Sequence, residues 1–367
     1  MRVVIDALPL LIRSAGVKNY LYHWIAHLRR AAGADAIGTF PTLGKLGPLH
    51  HQASVAGPWR TAAGLAQLVL ANHTPVPVLE IAARGADIFH ASVMVRRPPR
   101  GPLLTATLHD MTCWLMPELH PNSNLRDARG SADLLRSTDR LIAVSSCTKM
   151  DAVRVLGIAP DKITVIHSGI APAFFDCDAA AVQAVRARYG LTRPFVLSIG
   201  TIEPRKNLGT LLSAYQSLPP SLREEFELVV AGPMGWVDSD TAARLAEVRY
   251  LGYISESDIA PLTAAATVFA YPSLYEGFGF PVAQAMAAGA PVVTSNISAL
   301  PEIAGDAAVL VDPRSQSALR EALARLLLSP DLRSDLAARG RARAARFRWE
   351  TCAAKSLEFF QNAAGSV

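Results

Sequence analysis

The chain has 367 residues, half of them hydrophobic, and a formal net charge of +5. That length exceeds one ordinary core and suits two domains, with enough apolar sequence for a large buried interior. The four cysteines, Cys113, Cys147, Cys177 and Cys352, form no CxxC pair, which argues against a zinc site or a disulfide framework, and no run reaches the roughly 18 to 20 apolar residues of a membrane span.

The opening MRVVIDALPLL runs straight into a strand-like segment and lacks a small-residue cleavage site, so no secretory signal is expected and a reducing cytoplasm is the favoured compartment. In the first half, β-branched runs predict strands at Val3 to Ala7, Ile88 to His90, Leu103 to Leu108, Leu141 to Val144 and Ile163 to Ile166. Longer Ala/Leu/Arg stretches predict helices between them, clearest from Val17 to Arg30 and from Thr148 to Leu156. The alternation restarts with Phe195 to Ile199 and continues through Leu228 to Val230, Arg249 to Leu251, Val268 to Ala270, Val292 to Thr294 and Val309 to Val311. Such a pattern repeated twice implies two doubly wound parallel sheets, whose ligands sit at the carboxyl ends of the strands. The joint is expected between Gly169 and Pro194, and RFRWETCAAKSLEFF reads as an amphipathic helix starting near Trp349.

Charge is unevenly divided: residues 1–190 carry 20 Lys and Arg against 13 Asp and Glu, and residues 191–367 carry 16 against 18. A basic first half suits an anionic lipid surface or a phosphate-bearing substrate, or is simply a solvated face, since the charges form no run.

Four loops at strand ends hold residues with chemical potential. In LYEGFGFPVAQAMAAGAPVV, Gly277 and Gly279 permit close backbone approach, and Pro281 fits the first turn of a helix whose amino end favours an anion. Glu276 stands just ahead, where a carboxylate beside a phosphate needs another partner such as sugar hydroxyls; a plain strand-to-helix turn with a solvated acid is the competing reading. In Gly200-Thr-Ile-Glu-Pro-Arg-Lys-Asn207, Arg205 and Lys206 follow a strand directly and suit a diphosphate, against the alternative of a surface basic pair. In Thr107-Leu-His109-Asp110, His109 suits a substrate hydroxyl with Asp110 fixing its tautomer or the loop, though a lone histidine is more often structural. In LIRSAGVKNY, Gly16 leads into a helix after the first strand, and the absence of GxGxxG counts against a dinucleotide enzyme. Two Asp-x-Asp triplets, Asp176/Asp178 and Asp238/Asp240, stand before helical runs, where helix capping is a simpler reading than metal binding.

Nearly the whole chain resembles glycosyltransferase family 4, most densely in GTIEPRKNL, in YPSLYEGFGFPVAQAMAAGAPVVTSNISALPEIAGDAAVLVDP and in AVSSCTKMDAVRVLGIAPDKITVIHSGI. The resemblance implies an α/β fold of two Rossmann-like doubly wound domains facing across a cleft, the GT-B arrangement. The domains implied are 1–180 on the acceptor side and 181–345 for the nucleotide sugar, with 346–367 a helix packing back on the first. It implies a retaining enzyme with no metal and no cofactor. Arg205 and Lys206 would hold the donor diphosphate, Glu276 would contact donor-sugar hydroxyls, and the Gly277–Phe278–Gly279 backbone would cover sugar and phosphate. His109 would lie near the transferring sugar with Asp110 beside it, and Gly16 near diphosphate and acceptor. Gly252, Tyr253 and Ile254 would lie against the base, and Ser273 precedes the acidic loop. One departure stands at Gln284, where the family has a second glutamate that meets ribose; an amide shares that task through its carbonyl and N–H groups.

The TIEPRKN and ISALPE segments look most like bacterial mannosyltransferases of O-antigen or exopolysaccharide assembly. GDP-mannose is thus the expected donor, with UDP-glucose, UDP-N-acetylglucosamine and dTDP-rhamnose left open. The expected acceptor is a glycan or lipid-linked oligosaccharide. Peripheral contact with an anionic membrane at its cytoplasmic face is a further expectation, and no nucleic-acid partner is implied. Two rival classes are a nicotinamide-dependent oxidoreductase, which the missing glycine fingerprint opposes, and a non-catalytic nucleotide-sugar sensor, for which Gln284 is the one hint.

Overall fold

The computed structural model describes residues 1–44, 46–92 and 94–365. The chain forms two compact units, one comprising Met1–Gly169 and the segment from Arg348 onwards, the other Ile170–Phe347.

The sheet of the first unit is built from β1 (Val3–Asp6), β2 (Ile37–Phe40), β3 (Ile88–Ala91), β4 (Leu103–Leu108), β5 (Arg140–Ala143) and β6 (Ile163–Val165). Its order is β2-β1-β3-β4-β5-β6, and every adjacent pair is parallel. The VVID of β1 and the IFHA of β3 are buried at every residue, as strands covered by helices on both faces must be. Helix α1 (Gly16–Ala32) joins β1 to β2, while α2 (Pro58–His73) and the short α3 (Val78–Ala82) lie between β2 and β3.

The second unit repeats the plan with β7 (Phe195–Ile199), β8 (Glu227–Ala231), β9 (Arg249–Tyr250), β10 (Val268–Tyr271), β11 (Val292–Ser295) and β12 (Val309–Val311). The order β12-β11-β10-β7-β8-β9 is again all parallel and reverses direction between β7 and β10. A reversal of that kind leaves a crevice at the carboxyl ends of the two central strands.

The sequence reading missed β2, which is a four-residue edge strand carrying Gly38 and Thr39 and so shows no continuous apolar run. Other strands differ by a residue at their ends, β1 stopping at Asp6 rather than Ala7 and β6 at Val165 rather than Ile166. The division between units falls after Gly169, at the start of the expected Gly169–Pro194 joint and ahead of residue 180. Ile170 N–H donates to the Phe347 carbonyl at 2.9 Å, and the 3-10 turn Pro172–Phe174 packs against the helices Glu256–Ala264 and Phe280–Ala288, which ties this stretch to the second unit.

From Arg348 the chain rejoins the first unit, and the helix Trp349–Ala364 packs along α1. The Trp24 indole donates to Ser356 Oγ at 2.9 Å, both side chains being fully buried. Gly169 meets the start of this helix so closely that a Cβ there would lie 2.4 Å from the Trp349 nitrogen. Both Asp-x-Asp triplets cap helices: Asp178 accepts from Ala181 N–H at 2.6 Å and Asp238 from Thr241 N–H at 2.8 Å. No disulfide joins any of the four cysteines. Among the described residues no helix is long and apolar enough to cross a membrane.

Candidate active site

The carboxyl ends of β7, β8, β9 and β10 converge on one cluster in the second unit. Gly232, just past β8, has φ +133°, and a Cβ there would stand 1.9 Å from the Gly200 carbonyl oxygen, so only glycine lets these two backbones meet. Gly232 N–H also donates to the Gly252 carbonyl at 2.7 Å, which brings in the turn after β9. On its other side Gly200 faces Tyr271 and Lys206, whose side chains would lie 3.8 and 3.9 Å from its Cβ position.

The loop after β7 tightens into a 3-10 turn, Pro204–Lys206, closed by Asn207 in the left-handed region at φ +57°. Asparagine tolerates that conformation, and its amide anchors the turn by donating to the Pro272 and Pro313 carbonyls at 3.1 and 2.7 Å. The turn therefore presents Arg205 and Lys206 to the loop after β10.

Glu276, 7% exposed, is the hub of the cluster. Its Oε1 accepts from Lys206 Nζ at 2.6 Å, Ser273 Oγ at 2.7 Å and the Tyr271 hydroxyl at 2.9 Å, and its Oε2 faces Arg205 Nη1 at 3.0 Å. Glu203 supplies a second acid, 2.6 Å from Arg205 Nη2 and 3.9 Å from Lys206 Nζ. Arg205 Nη1 also donates to the Tyr275 carbonyl at 2.7 Å. Burial alone would raise the Glu276 pKa, but Arg205 and Lys206 outweigh it and hold the carboxyl down at about 2. Burial and the Arg205 charge lower Lys206, against the opposing pull of Glu276 and Glu203. The Tyr271 phenol is pushed well above its ordinary value by burial and by Glu276, so it donates rather than ionises. Two cations thus face two carboxylates in a half-dry setting, and the set is balanced in charge.

The expectation that Glu276 would need sugar hydroxyls as partners is corrected in part, because the cations themselves are its partners. Oε1 already carries three hydrogen bonds, whereas Oε2 meets only Arg205 among the described groups and has a lone pair to spare. The Glu276 backbone is fixed as well, its N–H donating to Ser298 Oγ at 3.1 Å.

Beyond Glu276, Gly279 adopts φ +92° and caps the helix Phe280–Ala288, which has Pro281 in its first turn as expected. The Phe278 ring is buried against Phe280 and Phe347, at centroid distances of 5.1 and 5.6 Å, so of Gly277, Phe278 and Gly279 only backbone and the two glycines can meet a ligand. Gln284, in this helix, is half-buried, and no described protein group hydrogen-bonds its amide. Gly252 has φ +67° and open space where a Cβ would stand; Ile254 is buried, and the Tyr253 hydroxyl donates to Glu256 at 3.2 Å.

His109 and Gly16 belong to the first unit. His109 follows β4 and meets the Tyr20 ring of α1 edge-on, 4.9 Å between centroids. Burial lowers its pKa to about 4 despite the opposing Asp110 charge, so the imidazole is neutral at pH 7. Of the two roles expected of Asp110, the loop is the observed one: Oδ1 accepts from Thr112 N–H at 3.1 Å and from its hydroxyl at 2.8 Å. Gly16 opens α1, where a Cβ would meet nothing within 4 Å, so packing does not require the glycine.

Sequence reasoning missed Tyr271, Glu203, Gly232 and Ser298. The available signals were a tyrosine closing a strand ahead of Pro272, an acid two residues before Arg205, and a glycine just past β8. Among the described residues no three His, Cys, Asp or Glu side chains gather as a metal ion would need.

Two family models match the chain, Glycosyltransferase Family 4 over residues 15–174 and Glycosyl transferases group 1 over residues 183–343. The chain is 34% identical over 272 residues to the O-antigen chain mannosyltransferase B of Escherichia coli, covering 72% of this chain and 71% of that protein. It is 30% identical over 232 residues to the serotype-specific mannosyltransferase WbdA of Escherichia coli, covering 60% of this chain and 28% of that larger protein. The fold is similar to the solved sucrose-phosphate synthase of Thermosynechococcus elongatus, at 21% identity and a TM-score of 0.75 over the full length of both chains.

Proposed function

The chain belongs to glycosyltransferase family 4 and is a glycosyltransferase, and on that premise we propose that it moves mannose from GDP-mannose to a hydroxyl of a glycan or lipid-linked oligosaccharide, with retention of configuration and without a metal. The observation that carries this reading is the Arg205–Lys206–Glu276 cluster at the carboxyl ends of β7 and β10. The relatives named as mannosyltransferases support the choice of sugar.

Departure of a nucleoside diphosphate places negative charge on phosphate oxygens and positive charge on the anomeric carbon. Arg205 and Lys206 are the groups suited to the first, and they are pre-positioned because Glu203 and Glu276 already hold them. Since the cluster is balanced, selectivity for a diphosphate arises from directed N–H donors and the amino end of the helix Phe280–Ala288 rather than from net charge. Glu276 Oε2 accepts a hydroxyl of the donor sugar through its remaining lone pair. Gly252 and its neighbours leave room for the base, and Gln284 takes the ribose through its amide. Within the first unit, neutral His109 is suited to hydrogen-bond a substrate hydroxyl, and Gly16 leaves the backbone open to a phosphate or acceptor. The acceptor hydroxyl attacks on the face the diphosphate leaves, and a departing phosphate oxygen takes its proton.

Lys206→Ala is expected to lower kcat about a hundredfold with the far-UV spectrum unchanged, as loss of one preorganised donor does. Normal turnover in that variant would overturn the assignment. A thermal-shift screen is expected to single out GDP and GDP-mannose, ligand at about 100 times its Kd adding about 2.7 kcal/mol to stability. A shift with uridine or thymidine nucleotides alone would replace the donor while leaving the reaction class in place.

A further inference from the structure

Helix α2 carries its apolar side outwards. Trp59, Ala62, Ala63, Ala66, Val69, Leu70 and His73 are all exposed, and their spacing of three to four residues places them on one stripe along the four turns of the helix. The opposite face holds Gly64 and Ala71, the two buried positions. Trp59 is 88% exposed, Val69 57% and Leu70 42%, and just beyond the helix Val76 and Ile81 are 48% and 68% exposed. Of the nine large hydrophobic side chains exposed among the described residues, these are five, so the exposure is concentrated in one segment rather than scattered.

The flanks of the stripe are basic. Arg60 lies on the side of α2, its guanidinium donating to the Leu43 carbonyl at 3.2 Å. At the far end Arg96 N–H donates to Asn72 Oδ1 at 2.9 Å and Arg97 Nη1 to the Thr74 carbonyl at 3.3 Å, which sets two exposed arginines beside the last turn. Arg84 is exposed after α3, and Glu80 and Asp87 are the acids in this stretch.

We propose that α2 is a membrane-seating helix, whose Trp59–Leu70 stripe enters the interface of an anionic bilayer while Arg60, Arg84, Arg96 and Arg97 meet the headgroups. An apolar face alone would equally suit a second protein. Exposed arginines at both ends of the helix and a tryptophan at one end of an uncharged stripe are what select a lipid surface with negative headgroups. The inference does not depend on the donor or on the chemistry of transfer.

The test is flotation of the full chain with vesicles of phosphatidylcholine alone and of phosphatidylcholine with about a third phosphatidylglycerol, where charge attraction is screened by added salt. Binding is expected to the anionic vesicles and to weaken as salt rises. Val69→Asp and Trp59→Ala, both at exposed positions, are expected to cut the partition coefficient about tenfold or more each while leaving sugar-nucleotide turnover on a soluble acceptor unchanged. Failure to bind anionic vesicles at low salt overturns the proposal, as does binding that Val69→Asp leaves intact. A wild-type dimer that Val69→Asp converts to monomer overturns it too, assigning the stripe to a second copy.

Discussion

At the scale of single residues, the structure turns two separate readings into one. Arg205 and Lys206 were legible because two cations directly after a strand suggest an anion, and Glu276 because an acid there needed a partner. That each is the other's partner was not legible, since 70 residues separate them and only the β7–β10 neighbourhood brings them together. Tyr271 and Glu203 were hidden for the same reason, as their roles exist only through contacts with Glu276 and Arg205. The cluster has a consequence for pH. The Glu276 carboxyl sits at about 2 in the folded protein against an ordinary 4.5, so the stability it contributes is complete above pH 4.5 and is lost as pH falls through 2. Over that window the wild type is expected to lose more stability than Glu276→Gln, measured by denaturant titration at each pH. Identical pH profiles would mean that Glu276 is not held ionised.

Elements were read well where their signals are local. The alternation of strand and helix runs announced parallel pairing, and the Asp-x-Asp triplets announced caps, because an aspartate immediately ahead of a helix accepts from the N–H three residues on, within the first turn. The edge strand β2 was not legible, because its place is given by pairing with β1 from Val3↔Ile37 to Asp6↔Phe40 rather than by its own composition. The close approach of the turns after β7 and β8 was equally silent, since a lone glycine does not say what stands beside it. Gly232→Ala tests that approach. A methyl group 1.9 Å from the Gly200 oxygen must push backbone against backbone, and the φ of +133° is itself a glycine conformation. The expected cost is at least about 3 kcal/mol in chemical denaturation, with loss of activity, because the displaced loop carries Arg205 and Lys206. An unaltered midpoint would show that the two turns are free to part.

At the scale of the whole molecule, the split into two α/β units was legible from the restart of the strand pattern near Phe195. The chain changes unit within the expected Gly169–Pro194 joint, whereas the place of the change, at the start of that joint, was not legible. It is decided by Ile170 bonding to Phe347 and by Gly169 lying under Trp349, contacts between residues nearly 180 positions apart. Trp349 is fully buried among Tyr20, His23 and His27, so Trp349→Ala is expected to cost about 3–5 kcal/mol, read from the denaturation midpoint. A change under about 1 kcal/mol would show that this unit repacks without the indole. The return of the helix Trp349–Ala364 to α1 also sets an order of events during translation. At roughly 5–20 residues per second, the roughly 315 residues between Ala32 and Arg348 take the ribosome about 15–60 s to make. For that interval the nascent first unit holds Trp24 and its neighbours without the helix that covers them, and the apolar surface of α1 stays open to solvent until that helix is made.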